Sequence, residues 1–116
     1  MDIKKIVNKN LIILDCNLDT KEAVIEELVV LLENEKFISS KELFLKEVLE
    51  REKLSSTGLE KGIAIPHGKS KYVIEPKIAI ARTKTPIKHW QSTDEKTADN
   101  LAFLISLPKT KTKTTY

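Results

Sequence analysis

Apolar residues along this chain fall into two kinds of run that succeed one another. Leu11, Ile12, Ile13 and Leu14 are contiguous, as in a buried strand, and Asp15 to Asn17 end the run. Val24, Leu28, Leu31 and Leu32 then recur at three- and four-residue spacing, which predicts an amphipathic helix over about 20–36. Asp19 with Glu22 three residues later reads as its capping box, and Phe37-Ile38 closes it. A second box, Ser39 with Glu42, precedes the stripe Phe44, Leu45, Val48 and Leu49, whose helix is expected to end near Lys53.

Small turn-forming residues, Ser55, Ser56, Thr57 and Gly58, break the helical period. Gly62-Ile63-Ala64-Ile65 follows as a short apolar strand that Pro66 is expected to stop, delivering His67 to its end. Two further apolar segments, 77–82 and 100–107, are bounded by Pro or polar turns and bring the strands to four. Two helices among four strands, several of them apolar throughout, predict a sheet covered on both faces and hence an α/β or α+β fold. The apolar pattern stops after Pro108.

Composition narrows this picture. With 116 residues, 41% of them hydrophobic, the chain builds one core, so a single domain over 1–108 is expected. Residues 109–116 form a polar Lys/Thr tail that reads as a frayed end. The 20 basic and 17 acidic residues are interleaved, the pattern of a solvated surface, and imply no nucleic-acid partner. Cys16 is the single cysteine, which excludes an intrachain disulfide and suits a reducing compartment; no Cys/His spacing suggests a metal site. The run 11–14 is far too short for a signal peptide or a membrane span, so a cytoplasmic protein is expected.

The candidate chemistry centres on His67, set between Pro66 and Gly68 after an apolar strand. Pro66 stiffens the approach, and Gly68 permits a tight turn or a close neighbour. A neutral imidazole is a competent nucleophile near pH 7, and its second nitrogen can donate to a carbonyl or carboxylate that fixes the tautomer. Phosphoryl transfer asks little more than positioning and neutralised oxygen charge, for which Arg51, Ser55, Ser56, Thr57 and Lys69 are candidates. Arg51 has a plainer use open to it as well, an i,i+4 ion pair with Glu47.

The run Leu49-Glu50-Arg51-Glu52, then Ser56-Thr57-Gly58, then Gly62-Ile63-Ala64-Ile65-Pro66-His67-Gly68-Lys69 resembles the signature of type-2 enzyme IIA domains of the sugar phosphotransferase system. Glu75-Pro76, Pro86-Ile87, Trp90 ahead of Asp94, and the segment 101–108 extend the resemblance. It implies a mixed central sheet of about four to five strands flanked by helices on both faces. It also implies a cytoplasmic phosphocarrier with no cofactor, in which His67 takes a phosphoryl group from the histidine-containing phosphocarrier protein. A IIB domain would receive that group for sugar uptake through a membrane IIC permease. By the same resemblance Arg51 stabilises the phosphate, and Ser56, Thr57, Gly68 and Lys69 bind it.

Family domains continue past the strand ending in Leu-Pro through helices that bring a second His; here the tail follows Pro108, and His89 is not expected to substitute. An uncovered apolar sheet face is therefore expected, with exposed residues such as Ile74 and Ile87 rimming a partner surface. A regulatory module of the nitrogen-related or transcription-regulator type, and an inactive truncated remnant, stand as alternatives.

Overall fold

Thr20 and Ser40, each one residue later than the capping boxes place them, start the two long helices. The Thr20 hydroxyl accepts from the Ala23 N–H at 3.3 Å and the Ser40 hydroxyl accepts from the Leu43 N–H at 3.2 Å, each satisfying a donor of the first turn. Ser39 is occupied elsewhere, with its backbone N–H and its hydroxyl both directed to the Tyr72 carbonyl. The computed structural model describes residues 3–54, 58–59, 63–87 and 100–109. In chain order these form α1 (Ile3–Ile6), β1 (Val7–Cys16), α2 (Lys21–Asn34), α3 (Lys41–Leu54), β2 (Gly58–Leu59), β3 (Ile63–Ala64), β4 (His67–Ser70), β5 (Lys77–Thr83) and β6 (Leu101–Pro108).

The C-terminus of α2 closes without glycine. The Phe37 N–H donates to the Leu32 carbonyl and the Lys36 N–H to that of Glu33, both at 2.9 Å, a Schellman arrangement that puts Lys36 at φ 64°. The chain then runs past the β4–β5 connection, where Ile38 bridges Val73 and the Ile74 N–H donates to the Phe37 carbonyl.

The sheet is mixed, in the order β1-β5-β6-β3-β2, with β4 also on β6. β5 and β6 are antiparallel, β1 is parallel to β5, and β3 and β4 are both parallel to β6. β3 pairs with Leu101 and Ala102, whereas β4 pairs from Ile105 onward, so the two share one lane and the sheet is five lanes wide. The expected α/β class and mixed sheet are thus observed. The short strands β2 and β4 had no counterpart in the apolar pattern, because neither is long or apolar enough to show one.

Alternation along β5 and β6 separates the two faces. On one, Ala64, Ala79, Ala81, Ala102 and Leu104 are fully buried, and the small size of the alanines lets α2 seat Val24, Ile25, Leu28, Val29 and Leu32 close to the strands. Each such aliphatic side chain removed from water contributes roughly 1.5–3 kcal/mol. α3 packs beside α2 on this face, over β4. On the other face Ile78, Ile80, Phe103 and Ile105 are half-buried. Among the described residues that face meets only the single-turn α1, whose Ile6 shares an apolar cavity wall with Ile78, Ile105 and Leu107.

Candidate functional site

Pro66 does not end a strand; it interrupts one. It lies between β3 and β4 in the same lane, where its missing N–H removes one ladder bond while its carbonyl still accepts from the Ile105 N–H at 3.0 Å. His67 is therefore the first residue of a new strand, paired with Ile105, and not the last residue of the old one. The backbone is thereby held on both sides of the imidazole.

The half-buried imidazole lies with Nδ1 3.0 Å from the carbonyl oxygen of Ile65. A carbonyl only accepts, so Nδ1 carries the proton and the lone pair of the neutral ring is on Nε2. Sequence reasoning named the class of this partner but not the residue. Pro66 was the available signal, because it restricts Ile65 to extended backbone and places that carbonyl two residues before the ring.

Strand alternation assigns the neighbours. His67 is in register with Ile105 and Lys69 with Leu107, all on the half-buried face, and Lys69 is exposed there. Gly68 is in register with Ser106 on the helix-covered face. A Cβ at Gly68 would stand 2.7 Å from Phe44 Cε1 and 2.9 Å from Val48 Cγ2, so the glycine is required by the approach of α3. Gly68 serves a close approach within a strand and does not make a tight turn.

Arg51 is half-buried in the last turn of α3, three residues beyond Val48 and seven beyond Phe44, on the same helical stripe that meets Gly68. The plainer pairing with Glu47 is not made. Glu47 Oε1 is buried with no hydrogen-bond partner among the described residues, and α3 pairs with α2 through Lys21–Glu52 at 3.8 Å and Lys41–Glu26 at 3.3 Å. Ser55, Ser56 and Thr57, between α3 and β2 in the chain, and His89, Trp90 and Asp94, between β5 and β6, lie outside the described residues. Of the two residues expected to rim a partner surface, Ile74 is 59% exposed but Ile87 is fully buried in the core.

No group of three or more His, Cys, Asp or Glu side chains able to hold a metal occurs among the described residues, and none of their helices is long and apolar enough to cross a membrane. The held imidazole and Lys69 lie on the half-buried face of β4, and the arginine-bearing helix α3 packs on Gly68 from the other. Residues 5–116 match the family model "Phosphoenolpyruvate-dependent sugar phosphotransferase system, EIIA 2". The chain belongs to this family.

Among curated EIIA relatives, the fructose-specific EIIABC component of Bacillus subtilis is 37% identical over 106 residues, covering 91% of this chain and 16% of that protein. The fructose-specific EIIA component of Haloferax volcanii is 36% identical over 107 residues, or 92% of this chain and 68% of that protein. The chain thus spans about a sixth of the Bacillus protein. Among solved structures, nitrogen regulatory protein IIA-Ntr from Neisseria meningitidis superposes with a TM-score of 0.82 at 34% identity, covering 94% of this chain and 73% of that one. IIA mannitol from Escherichia coli, at 23% identity and a TM-score of 0.74 over 90% of this chain and 73% of its own, shares the fold. EIIA domains are phosphotransferase components associated with phosphoryl transfer to IIB domains.

Proposed function

We propose that this EIIA domain is a cytoplasmic phosphocarrier that accepts a phosphoryl group on Nε2 of His67. The donor is the histidine-containing phosphocarrier protein, and the recipient is a IIB domain that serves sugar uptake through a membrane IIC permease. The observation that carries the reading is the hydrogen bond from Nδ1 to the Ile65 carbonyl, which leaves Nε2 as the nucleophile of the neutral ring. Nε2 attacks phosphorus, and the donor's N–P bond breaks with its electron pair returning to the donor imidazole. The Nδ1 proton stays in place, so the product is a phosphoimidazolium whose positive charge faces the Ile65 carbonyl dipole. Transfer to the recipient reverses the same bond exchange.

Arg51 and Lys69 supply positive charge to the phosphoryl oxygens, and Ser56 and Thr57 supply hydroxyl donors. Gly68 contributes through the packing of α3. The test is incubation of the chain with phosphoenolpyruvate, enzyme I and the histidine phosphocarrier, followed by intact mass. A single acid-labile phosphoryl adduct on the wild type that is absent from His67→Ala supports the reading, and a folded wild type without adduct refutes it.

The structural likeness to IIA-Ntr favours a second reading, in which the phosphorylated state regulates a protein partner and no sugar is involved. Transfer from the phosphorylated chain to a purified sugar-specific IIB domain separates the two. Rapid loss of the adduct to IIB supports the transport role; an adduct that persists in its presence supports regulation.

A further inference from the structure

We infer that Gly68 is a positioning residue for phosphoryl transfer, acting through α3 on Arg51; the inference rests on the phosphocarrier reading above. Where β4 meets α3 at Gly68, a side chain has been omitted. An added methyl there meets Phe44 Cε1 at 2.7 Å, Val48 Cγ2 at 2.9 Å and Phe44 Cζ at 3.1 Å. Ordinary carbon contacts lie at about 3.5–4.0 Å. Both neighbours are fully buried, and the β-branched Val48 in a helix is confined largely to one rotamer, so neither side chain can swing aside. The relief available is movement of α3 away from β4.

The two sides of that contact adjoin the two residues that matter. Gly68 follows His67 directly along β4, about 3.3 Å further on. Arg51 follows Val48 by three residues, about 4.5 Å further along a rigid α3. A displacement imposed at Val48 is therefore delivered to the turn that carries Arg51, while His67 stays pinned by the ladder to Ile105 and by the Ile65 carbonyl. The shift needed to relieve the nearest contact is about 1 Å. Displacements of that size in a transfer site cost on the order of 10²-fold in rate.

The experiment is a double-mutant cycle on the rate of His67 phosphorylation by the phosphorylated histidine phosphocarrier, measured by intact mass on the full chain. Wild type, Gly68→Ala, Arg51→Gln and the double variant are compared, with cooperative melting as the check of folding. Gly68→Ala is expected to slow phosphorylation about 10²-fold in the wild-type background. In the Arg51→Gln background the same change is expected to add less than about 2-fold, because the group it misplaces is already gone.

Equal slowing in both backgrounds, or no slowing in either, overturns the inference while leaving the phosphocarrier reading intact. No adduct on the wild type overturns that reading and this inference with it. If Gly68→Ala does not fold, the cycle is repeated with Val48→Ala present throughout, which removes the 2.9 Å contact and leaves the 2.7 Å one. The expected pattern is a smaller slowing that again vanishes without Arg51, and additivity there also overturns the inference.

Discussion

The sign of one stability change tests the packing account of Gly68 without any phosphoryl chemistry. In an unobstructed strand, Gly→Ala stabilises by roughly 0.5–1 kcal/mol, chiefly by restricting the unfolded chain. At Gly68 the same substitution drives a methyl to 2.7 Å from a ring carbon and 2.9 Å from a valine methyl, both in fully buried side chains. Overpacking of this kind costs about 1–3 kcal/mol, so a net loss of roughly 1–2 kcal/mol is expected for Gly68→Ala. With about 2.1 cal/mol/K of unfolding entropy per residue over 116 residues, that corresponds to a Tm lower by about 4–8 °C. Calorimetry or circular-dichroism melting reads it directly. In a Phe44→Leu background, which lacks Cε1 and Cζ, the further loss from Gly68→Ala should shrink. A Tm that is unchanged or raised in Gly68→Ala would show that α3 does not press on β4 as described.

Three other outcomes follow from single contacts. Lys36→Gly should raise stability by about 0.5–1 kcal/mol in urea denaturation, because Lys36 holds φ 64° at the end of α2 where glycine is unstrained; a loss would contradict the Schellman geometry. Ser106→Ala should be neutral or stabilising by about 1 kcal/mol, since its buried hydroxyl has no partner among the described residues; a loss above about 1 kcal/mol would reveal a hydrogen bond or bound water there. In 15N NMR of the unphosphorylated chain, the neutral His67 ring should carry its proton on Nδ1, and a predominant Nε2–H form would remove the basis for attack from Nε2.

Much of this molecule is dictated locally. The apolar runs at 11–14, within 77–82 and within 100–107 and the helical stripes from Val24 and Phe44 specify strands and helices because burial of a period-matched face is the dominant local free energy. The candidate nucleophile was legible less from its Pro-His-Gly spacing than from the longer run Gly62 to Lys69, whose resemblance to the family signature singled out His67. The cap positions slipped by one residue because Asp19 and Thr20, like Ser39 and Ser40, are both competent caps, and only the competing bond from Ser39 to the Tyr72 carbonyl decides the second case.

What tertiary structure alone decided is everything that depends on which distant segments meet. β4 is a strand only because β6 runs alongside it, and the short run His67-Gly68-Lys69-Ser70 has no periodic signal of its own. Ile87 reads as a surface residue in an isolated Pro-Ile-Lys segment and is buried because the core closes over it. The tautomer of His67 rests on where Pro66 leaves the Ile65 carbonyl, and the need for glycine at 68 arises from two side chains twenty or more positions earlier. Hydrophobic period is written in neighbouring residues, but contact between α3 and β4 is a property of the folded sheet, and a sequence read in one dimension has no distance with which to express it.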